Sequence, residues 1–160
     1  MALSLFLHHA ILNQINGEMA ELQTLTAVTA LIKLTWTAGE FLAKVKNADG
    51  LAREVCDRVE RLRGVLESVH VVLKRRYEHG VATSMTSGDP VEGRICDSVV
   101  ACHHFLSTLQ SEVGSFETGS APKLVDRFRL ACRHSSITRR QTDLEARISI
   151  LQTELVVLQL

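Results

Sequence analysis

The stretch LAREVCDRVERLRGVLESVHVVLK, residues 51–74, decides the fold. Its apolar positions are Leu51, Val55, Val59, Leu62, Leu66, Val69 and Leu73. The steps between them alternate three and four residues after an opening four. That is the period of one helix face and not the alternation of a strand. The opposite face carries Glu54 with Arg58 and Asp57 with Arg61, each acid one turn ahead of its base in the favourable order. Asp49 stands where an N-cap is needed, and His79-Gly80 marks the end. The segment predicts a long helix whose apolar stripe must be covered by other parts of the chain.

The same spacing recurs downstream. Ile95, Val99, Cys102, Leu106, Leu109, Val113 and Phe116 form one stripe, and Leu144, Ile148, Leu151, Leu155 and Leu158 another. The loop GVATSMTSGDP (80–90) leads into Asp89-Pro90-Val91-Glu92, a cap residue, a first-turn proline and an early glutamate that together start a helix. ETGSAP (117–122) is a break, and Leu124, Phe128 and Ala131 make a short amphipathic piece. The opening helix, about Leu22 to Lys46, differs from these. Leu25, Val28, Ile32, Gly39 and Leu42 share one side, while Leu31, Leu34, Ala38, Phe41 and Val45 spread over others. A helix apolar on most sides is central in a bundle or held for a second environment. The expected fold is therefore all-α: an antiparallel helical bundle of four long helices plus short helical pieces, with Trp36 buried inside one chain.

Composition agrees with a single globular domain. Of 160 residues, 46% are apolar, 22% are charged and only 4% are aromatic, which suits helix packed on helix. Lys plus Arg equals Asp plus Glu, 18 against 18, so overall charge points to no nucleic-acid partner. The basic residues are uneven, however. Lys74-Arg75-Arg76 is one cluster, and residues 123–140 hold six basic side chains against the single acid Asp126. Such runs are solvated helix faces or surfaces for an anionic membrane or an acidic partner. Cys56, Cys96, Cys102 and Cys132 form no disulfide-like spacing, which places the chain by default in a reducing cytoplasm. The uncharged opening MALSLFLHHAILNQING lacks the basic start of a secretory signal, and no run has the roughly 18 unbroken apolar residues of a spanning helix.

Motifs for chemistry are not found. The chain has no phosphate-binding loop, no dinucleotide fingerprint, no H-E-x-x-H and no nucleophile elbow. CDSVVACHHF (96–105) is the one metal-like cluster. Cys96 and His103 share a helix face, but Cys102 and His103 point about 100° apart. Further ligands would have to come from Cys56, His70 or Cys132. The reading is of a protein that is not an enzyme, with no cofactor, no metal and no small-molecule substrate.

From Met19 onward the residues MAELQTLTAVTALIKLTWTAGEFLAKVKNADGLAREVCDRVERLRGVLESVHVVLKRR resemble the HeLo-like N-terminal domains of fungal NLR-like (STAND) proteins. The resemblance rests on an apolar first helix ending in VKNADG, on EVCDRVERLRGVLESV, and on the closing DLEARISILQTELVVLQL after a basic segment. It divides the chain into residues 19–160, the bundle domain, and residues 1–18, an extra apolar segment that is either an alternative start or a short helix. It implies a signalling or effector domain that acts through helix–helix contacts with protein partners or as a homo-oligomer. Some relatives execute cell death by oligomerising and exposing the apolar first helix to membrane, so membrane association on activation, at an anionic surface, is part of the implication. The residues implicated in such a membrane or partner surface are Leu31, Trp36, Phe41, Arg127, Arg129 and Arg133. The alternative reading is a structural coiled-coil or scaffold protein, since three-four stripes also suit helices of different chains.

Overall fold

The computed structural model describes residues 2–79, 90–116, 119–134 and 137–160, with side chains over 22–79, 90–116, 119–133 and 137–160. Five helices follow one another: α1 (Ala2–Val45), α2 (Gly50–Glu78), α3 (Pro90–Val113), α4 (Ala121–His134) and α5 (Ile137–Gln159). Among the described residues there is no strand. The four long helices form a ring in which α1 and α5 each pack against both α2 and α3, while α4 lies across α1 and α3. The fold is the expected all-α helical bundle.

The stripes read from the sequence are the surfaces that pack. Val55, Val59, Leu62, Leu66, Val69 and Leu73 of α2 are buried, as are all seven positions of the stripe running along α3 to Phe116. In α5, Leu144, Ile148, Leu151 and Leu158 are buried, and Leu124, Phe128 and Ala131 turn α4 onto the same core. Asp49 caps α2: its carboxylate accepts from the backbone N–H groups of Leu51 at 2.9 Å and Ala52 at 3.2 Å. The helix stops at Glu78 with His79 as its C-cap. α3 starts at Pro90, as the proline signal requires. The N-cap expected at Asp89 and the loop before it lie outside the described residues.

Ion pairs show the direction of the helices. Arg58 bonds Gln141 at 2.8 Å and Glu145 at 3.3 Å, and Arg61 also pairs with Glu145, so α2 and α5 run the same way. Arg94 near the start of α3 meets Glu154 near the end of α5, so that pair is antiparallel. The Glu54–Arg58 pair expected within α2 forms at 3.6 Å. Asp57–Arg61 does not appear among the described ion pairs; Arg61 is drawn to α5 instead, because the carboxylate there is a partner that the sequence period of α2 alone does not reveal.

Two expectations about α1 need correction. It begins at Ala2 and not near Leu22, running 44 residues without a break. Nothing between residues 2 and 21 stops a helix: both prolines lie later in the chain, and the lone Gly17 costs about 1 kcal/mol, too little to end it. The helix passes through residues 18 and 19 uninterrupted. Its length is about 66 Å against about 44 Å for α2. The second correction is Trp36, which is 51% exposed and not buried. Val28, Leu31, Ala38, Phe41, Leu42 and Val45 fill the inward side of α1, where three helices converge, and Trp36 falls on the far side of the helix from them. The many-sided apolar character of α1 answers to the three helices that pack on it, α2, α3 and α4.

Candidate interaction surface

The six residues singled out from the sequence separate in the structure. Leu31 and Phe41 have no exposed surface; Phe41 packs its ring 5.3 Å from that of Phe116. Trp36 stands outside, with the Arg63 guanidinium of α2 stacked 4.0 Å from the ring centroid. Arg63 passes Gly39 to get there, where a Cβ would meet Arg63 Nη1 at 3.6 Å. Stacking over an indole at an exposed site contributes about 0.5–1 kcal/mol. This pairing is invisible in the sequence, because it joins positions on different helices.

The basic segment is not a continuous free cationic face. Arg127 donates to the Val113 carbonyl and, at 2.7 Å, to that of Ser115. It thereby closes the end of α3, where Gly114 (φ 80°) makes the left-handed turn that lets the chain leave the helix. Arg129 donates to the Ala48 carbonyl at 2.9 Å and meets the second oxygen of Asp49 at 3.4 Å. So α4 holds the end of α3 and the α1–α2 turn together through two arginines. Lys123, Arg133 and Arg139 remain exposed.

The outer face of α1 has a different character. Thr26, Ala30, Lys33, Trp36, Glu40, Ala43 and Lys44 are exposed along it. Thr26, Thr29 and Thr37 spend their hydroxyl donors on their own helix, on the carbonyls of Leu22 (2.8 Å), Leu25 (2.9 Å) and Lys33 (3.0 Å). The face is therefore less polar than its composition. Beside it, an open groove of about 560 Å³ lies between α1 and α2, with Leu25, Thr29 and Ala30 on one wall and His70, Lys74 and Tyr77 on the other. Other large apolar side chains are uncovered on the bundle: Leu22, Tyr77, Val156 and Val157 sit toward the end where α2 finishes, and Val71, Val100 and Leu130 are exposed as well.

Among the described residues the cysteines and histidines do not assemble. Cys96, Cys102 and His103 stay on α3, and the described residues contain no group of three or more His, Cys, Asp or Glu placed to hold a metal. Cys56 and Cys102 are buried. Desolvation pushes the Cys102 thiol up to about 12 and that of Cys132 to about 11, and raises Cys56 as well, which keeps all three protonated at neutral pH. No helix among the described residues is long and apolar enough to cross a membrane.

Compared with family models, curated proteins and solved structures, the chain matches none. What fold and surface define is an all-α helical bundle with an exposed tryptophan on the outer face of α1.

Proposed function

We propose that the chain is a non-enzymatic signalling module that works through helix–helix contacts, of the kind that stands at the N-terminus of fungal NLR-like proteins, in the cytoplasm. The observation that carries this reading is the gathering of four uncovered apolar side chains, Leu22, Tyr77, Val156 and Val157, toward one end of the bundle, more than at any other place on it. Apolar surface left open at one place on a domain marks a contact with another molecule. A membrane-directed role receives less support. Arg127 and Arg129 are engaged in closing helix ends, so fewer cations are free to face an anionic leaflet.

The test is site-specific photocrosslinking in cells, with the crosslinker placed at Val156 and, as a control on a polar face, at Asp143. A discrete protein adduct at Val156 and none at Asp143 is expected. Equal adducts at both sites, or none at either, would contradict the reading.

A further inference from the structure

The outer face of α1 carries a charge pattern that the fold leaves unanswered. Lys33 and Glu40 are exposed, and among the described residues neither enters an ion pair within the chain. Seven residues apart, they lie nearly in line on the helix, about 10 Å from one another along its axis, too far to meet. Trp36 and Thr37 sit midway between them, and the small residues Ala30 and Ala43 flank the pair on either side.

We propose that this face is where two copies of the chain pair, with their α1 helices antiparallel about a two-fold axis beside Trp36 and Thr37. In that register Lys33 of each copy lies opposite Glu40 of the other. Ala30 lies opposite Ala43, and Trp36 opposite Thr37. One contact made twice is what a closed two-fold dimer requires. The charges select the direction: a parallel pairing sets Lys33 against Lys33 and Glu40 against Glu40. Alanines at the flanks let the helices approach closely, and the threonine donors already satisfied within α1 need no water there. A half-exposed tryptophan at the centre of the face is the residue type most often found to anchor such contacts. An anionic lipid surface would attract Lys33 and Lys44 but would turn Glu40 toward like charge, which the antiparallel pairing avoids.

This inference deepens the helix-contact reading by naming a partner and a face. It is tested at residues far from Val156, so either can fail while the other stands. The experiment is sedimentation of the full chain over a range of concentrations, with Lys33→Glu, Glu40→Lys and the double exchange. Wild type should show a dimer fraction that grows with concentration. Each single reversal should weaken the dimer by at least about tenfold, and the double exchange should restore it. Trp36→Ala should weaken it by a similar factor of about ten, with circular dichroism unchanged. A monomer at every concentration, single reversals that dimerise like wild type, or a double exchange that fails to restore would overturn the proposal. So would Trp36 emission that shifts with phosphatidylcholine–phosphatidylserine vesicles but not with protein concentration.

Discussion

Arg94 of α3 grips Glu154 of α5 with both ends of its guanidinium fork, the Nη2–Oε2 contact measuring 3.0 Å. The two partners are unequally placed: the Glu154 side chain is 7% exposed and that of Arg94 50%. Removing the arginine therefore leaves a carboxylate with little water to turn to. Arg94→Ala is expected to cost about 2–3 kcal/mol, below the range for wholly buried pairs because Arg94 is half solvated. Glu154→Leu, which removes the charge and fills the space, should cost less than about 1 kcal/mol. Urea unfolding of the two variants decides; equal losses would mean that the carboxylate is well hydrated.

Asp49 serves two partners with its two oxygens, the amides of α2 and the Arg129 guanidinium. Asp49→Asn keeps an amide-accepting oxygen and loses only the ion pair. It should cost about 0.5 kcal/mol, against about 1–2 kcal/mol for Asp49→Ala. The measurement is the urea midpoint of each. Similar losses would show that the ion pair and not the cap matters.

Three glycines inside helices have room for a methyl group. Gly64 and Gly93 have nothing within 4 Å of an added Cβ, and Gly39 only Arg63 Nη1 at 3.6 Å. Each change to Ala should stabilise by about 0.5–1 kcal/mol by lowering the backbone entropy lost on folding. A thermal shift upward in all three is expected. A fall at Gly39 alone would show that Arg63 needs the gap to reach Trp36.

The Cys102 thiol makes stability fall at alkaline pH. Its folded pKa is raised to about 12 from the ordinary 9.0. Below pH 9 both states hold the proton and nothing changes. Between 9 and 12 the unfolded chain has released a proton that the folded chain keeps, so stability is lost as pH rises. Wild type should lose about 1.5 kcal/mol more than Cys102→Ala between pH 9 and 10.5. Parallel losses in the two proteins, measured by urea unfolding in reductant, would contradict this.

The polar side of α2 offers a contrast with its core side. Leu62→Asp and Leu106→Asp each put a charge at a fully buried position and should abolish the fold. Arg58→Ala reads from the sequence as a surface change of about half a kcal/mol. Because Arg58 bridges to Gln141 and Glu145, about 1–2 kcal/mol is now expected. Circular dichroism with denaturant separates the three.

Stripes and helix ends were legible because they rest on neighbours in the chain. Val59 to Leu73, Ile95 to Phe116 and the Asp49 cap each follow from a local period or a local bond. Side-chain pairs across helices were not legible. Arg127 and Arg129 read as free cations in a basic run, yet their acceptors lie 14 and 81 residues away in the chain. Glu154 was read past in favour of Leu155, although a step of three from Leu151 and four to Leu158 puts it in phase with the core. Its burial became tolerable only once Arg94 was in place. Trp36 was read as core because a large aromatic in an apolar helix usually is, and only the positions of three neighbouring helices show which side of α1 faces out.

The two arginines of α4 give the bundle a latched end and an unlatched one. At the latched end, the terminus of α3 and the α1–α2 turn are tied to one short helix. At the other, around Leu22 and Tyr77, α1 and α2 face each other across an open groove. Amide hydrogens near Val45 and Ala52 should therefore exchange with solvent only when the whole molecule unfolds, while those from Leu22 to Ala30 exchange through a local parting of α1 from α2. Such a pattern of exchange would set the end carrying Leu22 and Tyr77 apart from the end that α4 ties.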